Sequence, residues 1–144
     1  VAVNDHDLVA ALGGLYREVN AFYGAIAREF GLTAQQIALL CLVQAQHPTF
    51  GELAAALGCD KTNITGMVDR LERRGYVARQ PDPADRRISR VAPTSAGVAI
   101  GADIQAAIAG KLAATLPHVA RIELATAAAD LVAALSDRGG ARQI

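Results

Sequence analysis

The stretch from Asp60 to Thr94, DKTNITGMVDRLERRGYVARQPDPADRRISRVAPT, leaves this chain few folds to choose from. Ile64, Val68 and Leu71, with Met67 beside them, recur at the 3.6-residue spacing of one buried helical stripe, while Thr62, Asn63, Thr65, Asp69, Arg70 and Arg73 point the other way. The Asp60 carboxylate can accept from the unpaired amides of the first turn, and Gly75 suits the left-handed residue that ends a helix. Two short strands are expected next, Tyr76 to Gln80 and Ile88 to Ala92, around a Pro-Asp-Pro turn. A helix with an apolar inner and a donor-rich outer face, followed by a hairpin, is the outline of a recognition helix and a β-wing.

The residues upstream carry their own punctuation. Thr33 and Gln36 can cap each other's free amides, with Leu32 stapled onto Ile37, so a second helix is expected to about Gln46, ended by Pro48. Thr49-Phe50-Gly51-Glu52 repeats the capping-box pattern and opens a short third helix closed by Gly58. Only Gly58 to Asp60 separate that helix from the one starting at Lys61, which is the spacing of a helix-turn-helix.

On either side lie longer apolar helices. The first is expected from Asn4 or Asp5 to Phe30, with Gly31 behind it. Its apolar positions Leu8, Leu12, Leu15, Val19, Phe22, Ile26 and Phe30 come close to a heptad seam. At about 26 residues it is roughly 39 Å long, more than a small winged domain can cover, which calls for a partner, most simply a second copy of the chain. Thr94 is expected to cap an alanine-rich helix to about Leu116, with Ile100, Ile104, Ile108, Leu112 and Leu116 at four-residue spacing. Pro117 breaks it, and a last helix from His118 to Ser136 carries Val119, Ile122, Leu131, Val132 and Leu135, with Gly139-Gly140 and the polar tail frayed. The fold expected is mainly α with a small two-stranded β-wing: a winged helix-turn-helix over residues 32–94, between dimerisation helices at 1–31 and 95–144.

Composition narrows the function classes. Net charge is zero across 144 residues, but Lys61, Arg70, Arg73, Arg74, Arg79, Arg86, Arg87 and Arg90 face only Asp69, Glu72, Asp82 and Asp85. That segment is therefore +4 and the remainder −4, the segregation expected when one face meets phosphate. The start VAVNDHDLV lacks the basic residues of a secretory signal, and Asp103, Gln105 and Lys111 interrupt the apolar region 96–116, so a membrane span is not expected and the cytoplasm is. Cys41 and Cys59 are too few for a disulfide scaffold and are read as small buried hydrophobes, Cys59 packing on Ile64. A thiol sensor is the alternative, with Lys61 near Cys59 and no cation beside Cys41. His6, His47 and His118 are scattered, so neither metal nor cofactor is expected. No Gly-rich phosphate loop, His-Glu-x-x-His, carboxylate pair or nucleophile elbow is present, and no catalytic residue is assigned.

The element order, together with Met67-Val68-Asp69-Arg70-Leu71-Glu72-Arg73-Arg74-Gly75-Tyr76-Val77 and Asp82-Pro83-Ala84-Asp85-Arg86-Arg87 ahead of Thr94, resembles the MarR family of bacterial winged helix-turn-helix transcriptional regulators over nearly the whole chain. The resemblance implies a homodimer on a pseudo-palindromic operator in double-stranded DNA, most often a repressor released by a small effector. It implies that the wing-tip arginine, here Arg87, enters the minor groove, with Asp85 orienting its guanidinium; a planar, permanently charged fork suits a narrow electronegative groove. Thr62, Asn63 and Thr65 would reach base edges, Arg70 a phosphate, Lys61 either; Arg73 and Arg86 complete the expected DNA face. Gly66 departs from the pattern, since several family members carry a longer DNA-touching side chain there. Effectors of the family, often phenolic carboxylates, bind between the dimer helices and the winged domain. By that analogy Tyr16, Arg17, Tyr23, Gln44 and His47 are candidates. A winged helix serving as a protein-interaction module is the competing reading, against which the wing arginine, its aspartate and the +4 segment speak.

Overall fold

The computed structural model describes residues 4–140. Six helices and one hairpin follow in the order α1 (Asp5–Glu29), α2 (Ala34–Ala45), α3 (Phe50–Leu57), α4 (Lys61–Arg73), β1 (Val77–Pro81), β2 (Ser89–Pro93), α5 (Ser95–Thr115) and α6 (His118–Gly140). They group into two compact units, residues 1–105 and 106–144.

Helix boundaries fall where side-chain caps allow. Asn4 Oδ1 accepts from the Asp7 amide at 2.8 Å, and Asp60 Oδ1 from the Asn63 amide at 2.8 Å. Thr33 and Gln36 form the full reciprocal box at the start of α2. At α3 only half of the expected box forms. Thr49 Oγ1 accepts from the Glu52 amide, but the Glu52 carboxylate lies 3.9 Å from Arg90. Gly31, Gly58 and Gly75, behind α1, α3 and α4, have φ of 66°, 63° and 78°, the left-handed turn that lets each helix end.

In the first unit, residues from every element from α1 to α5 share one core. Ile26 of α1, Ile37, Leu40 and Val43 of α2, Leu53 of α3, and Ile64, Val68 and Leu71 of α4 are buried with Val77 and Val91 of the hairpin. The strands pair antiparallel with Arg79 opposite Val91, each strand one residue later than the sequence pattern indicates. On its other side β2 is tied to the α2–α3 connection, where the Val91 amide donates to Pro48 O at 2.9 Å; a boundary difference of one residue is within the fraying of strand ends. Ile104 is also inside this core, 1 % exposed, so it is not a seam residue awaiting a second copy. The first turns of α5 approach closely because they carry glycine. A Cβ on Gly97 would stand 1.9 Å from Tyr76 O, and one on Gly101 1.8 Å from the Gln44 amide nitrogen.

In contrast, Leu8, Leu12, Leu15 and Val19 of α1 are 42–58 % exposed. In the second unit α6 continues through Gly139 and Gly140, past the expected end at Ser136, and the tail after Gly140 lies outside the described residues. Val119, Ile122, Leu131, Val132 and Leu135 of α6 are exposed. By length and composition α5 would suffice to cross a membrane.

Candidate nucleic-acid interface

Helix α4 presents what its period promised. Ile64, Met67, Val68 and Leu71 are buried, and Lys61, Thr62, Asn63, Thr65, Arg70 and Arg73 are exposed. The Thr65 hydroxyl donates to Lys61 O at 2.8 Å, so its hydrogen is engaged within the helix and its oxygen remains free to accept. Asp69 turns toward the wing. No heavy atom outside its own neighbours lies within 4 Å of a Cβ built on Gly66.

The wing tip is organised by carboxylates. Asp85 Oδ1 accepts from Arg87 Nε at 3.0 Å and Oδ2 from Nη2 at 2.9 Å, a two-point fork that fixes the guanidinium plane. The Arg87 amide donates to the same carboxylate. These bonds hold the Asp85 carboxyl below the usual carboxylate range and push Arg87 above its own ordinary value, while the Arg87 side chain stays 90 % exposed. Arg86 beside it is exposed. A charge that is both oriented and open to solvent is what recognition of an electronegative groove requires.

The sequence did not reveal how the wing is held. Asp82 is buried at its base. Its Oδ1 accepts from the amides of Ala84 (2.7 Å) and Asp85 (3.1 Å), and Oδ2 from Arg90 Nε. The Arg90 guanidinium, then those two amides, hold the Asp82 carboxyl below its ordinary range. Arg90 reaches on to His47 O at 2.8 Å. On the other strand Arg79 pairs with Asp69 and with Glu72 (3.5 Å) and lies over the Phe50 ring at 5.5 Å. Two of the eight basic residues counted toward the +4 segment are therefore internal struts. No local signal marked the Arg79 pairing: its side chain stays 37 % exposed, and Asp69 is distant in sequence.

The five candidate effector residues do not gather at one place. Tyr23 lines a groove of about 560 Å3 with Asn20 of α1, Gln35, Ala38, Cys41 and Leu42 of α2, and Leu57 of α3. Tyr16 and Arg17 are exposed on α1. Gln44 Nε2 donates to Gly97 O at 2.7 Å, and His47 lines a separate cleft at the wing base. Cys41, expected inside, is exposed on the groove wall, because α2 turns its Ile37, Leu40 and Val43 face inward. Partial burial among these side chains nevertheless pushes its thiol pKa up, away from a reactive thiolate. Cys59 is half-buried.

The sequence model of the MarR family matches residues 32–89, the winged segment. The multiple antibiotic resistance protein MarR of Escherichia coli (strain K12) is 35 % identical over 97 residues, 64 % of this chain and 67 % of that protein. The chain belongs to the MarR family. Another relative, the HTH-type transcriptional repressor NicR of Pseudomonas putida, is 33 % identical over 100 residues, 66 % of this chain and 63 % of its own. Against other curated relatives the match is shorter, and the chain spans about half of their length, 49 % and 41 %. Among solved structures, CouR from Rhodococcus jostii RHA1, bound to p-coumaroyl-CoA, is 27 % identical, with a TM-score of 0.66 over 88 % of this chain and 90 % of that one. The winged helix-turn-helix of the MarR family is thus the fold of this chain, and residues 32–89 are the part matched by the family model.

Proposed function

We propose that this chain is a homodimeric, sequence-specific DNA-binding transcriptional regulator of the cytoplasm, and that it represses until a small effector binds. The observation that carries the reading is the wing tip: Arg87, forked onto Asp85 and almost wholly exposed, beside a recognition helix whose outer face is Lys61, Thr62, Asn63, Thr65, Arg70 and Arg73. A protein-binding wing has no need of an oriented cation. Thr62 and Asn63 are assigned to base edges, Thr65, whose oxygen accepts, to an amino group on a base edge, and Lys61, Arg70, Arg73 and Arg86 to the backbone.

Homodimerisation is supported by the exposed apolar residues of α1 and α6, which water would not favour leaving bare. Residues 1–31 and 95–144 are read as the dimerisation region. We take α5 as part of it and not as a span, since Gly97 and Gly101 seat it against Tyr76 O and Gln44. For the effector, the groove at Tyr23 is the best-formed apolar cavity near α1, with Asn20, Tyr23 and Gln35 as polar groups for an aromatic or phenolic ligand. CouR, whose ligand is an aromatic acyl thioester, supports that ligand class. NicR, named a repressor, supports the sign of regulation. The relatives are named as regulators, and we assign no catalysis.

Selection of the purified protein on a random double-stranded DNA library at two salt concentrations, with light scattering for the dimer, tests the reading. A pseudo-palindrome with half-sites about one turn apart, roughly 34 Å, is expected from a dimer. Weak, salt-sensitive binding without a motif would overturn it in favour of an interaction module.

A further inference from the structure

A basic residue beside a DNA-reading helix is ordinarily assigned to a phosphate, but Arg74 is placed otherwise. It is the C-cap residue of α4, and its amide closes that helix on Arg70 O and Glu72 O. Its side chain leaves the helix and donates through Nη1 to Gly31 O and through Nη2 to Phe30 O at 3.4 Å, the carbonyls at which α1 ends. One residue thus closes α4 with its amide and caps α1 with its side chain, its cation at the negative end of the α1 dipole. The Tyr76 ring lies under the guanidinium, 5.3 Å from centroid to Cζ. The same corner receives α5. The Thr94 amide donates to Tyr76 O at 3.0 Å, and the Thr94 hydroxyl to Gly75 O.

We infer that Arg74 is a positioning residue for DNA binding: it ties the end of the recognition helix to the end of α1, so that the attitude of α1 sets the attitude of α4. This rests on the regulator reading. In a dimer whose α1 helices meet, the separation of the two recognition helices is then set through this corner. A planar fork that reaches two successive carbonyls while stacked on a ring resists rotation in a way a single ammonium does not. Without it α4 keeps its buried stripe but has more freedom about its own end.

Two measurements test this. In the absence of DNA, hydrogen–deuterium exchange by mass spectrometry is compared between wild type and Arg74→Ala. Faster exchange is expected over residues 27–32 and 74–76, with α6 unchanged; no change there would show that the tie does not exist, and the proposal would fall. On the operator from library selection, affinities are measured with the native half-site spacing and with one base pair inserted or deleted, across a salt series. Wild type is expected to lose about ten-fold for a one-base-pair change, which rotates one half-site by about a tenth of a turn.

Arg74→Ala should bind the native spacing about ten-fold more weakly, discriminate spacings about three-fold or less, and keep the wild-type salt slope. Arg74→Lys, which retains charge but not the fork, should resemble Arg74→Ala. A slope reduced by about one unit with spacing discrimination intact would make Arg74 a phosphate contact and overturn the assignment, as would affinities equal to wild type. A wild type that selected no operator would remove the regulator reading, and the DNA-binding role with it, while the exchange comparison would still decide whether the tie exists.

Discussion

Ile64 on α4 and Leu15 on α1 are aliphatic residues on amphipathic helices, yet the first is fully buried and the second 45 % exposed. The same contrast separates the winged segment from the amino-terminal half of α1 and from α6. Between Leu32 and Pro93 the apolar residues meet one another within the chain. On the amino-terminal half of α1 and on α6 they recur at comparable spacing and stay about half exposed. Hydrophobic periodicity therefore reports that a face needs covering and is silent on whether this chain covers it. Ile104 makes the point in reverse: its four-residue repeat looks like a seam, but it belongs to the chain's own core.

Substitutions can break this contrast. Ile64→Ala should cost about 2–5 kcal/mol, the usual range for truncating a fully buried aliphatic side chain, seen as a lower urea midpoint at unchanged slope. If Leu15→Ala cost as much in dilute monomer, the contrast would be wrong. Leu15→Asp should instead weaken dimerisation by about a hundred-fold, as a charge would have to be desolvated in the seam, and leave the far-ultraviolet circular dichroism intact. Sedimentation showing that Leu15→Asp remains as fully dimeric as wild type at micromolar concentration would refute the interface.

Smaller effects probe the wing. Arg87→Ala should lower operator affinity by about ten-fold and reduce the salt slope by about one unit; if both were unchanged, the wing would not touch DNA. Asp82 offers a pH test. Its folded pKa lies below the unfolded value of about 3.9, so the stability it contributes is complete above that value and is lost as pH falls through the folded pKa. Protection of the β1 and β2 amides, measured against their intrinsic exchange rate at each pH, should fall in that acid window, and Asp82→Asn should be less protected at neutral pH with the acid dependence flattened. Gly66→Ala is the mildest change. Since a Cβ there meets nothing within 4 Å, it should stabilise by a few tenths up to about 1 kcal/mol. A fall in melting temperature would reveal a packing role for the glycine.

The helices were legible because each carries both a period and a cap: Thr33 with Gln36, Asp60 with Gly75. The strands begin and end one residue later than expected, since Pro81 and Pro93, which lie just past the expected strands, are still paired at the strand ends. Arg87 and Asp85 were paired through the resemblance to the MarR family, and the two-point fork between them forms. Arg79 and Asp69, ten residues apart, could not be paired in advance, and Asp82 looked like a turn residue when it is the buried anchor of the wing. Candidate effector residues were the least legible. A pocket is assembled from several elements, and Gln44 was already committed to Gly97 O.

The pairing of Arg79 and Arg90 within the wing has a consequence for salt dependence. With those two paired to carboxylates and Arg74 turned onto α1, five of the eight cations of the segment 61–90 are left on its outer face, Arg87 among them though it is forked onto Asp85. In the proposed dimer about ten cations would then displace counterions from DNA, and the slope of affinity against salt would count those and not all eight of each protomer.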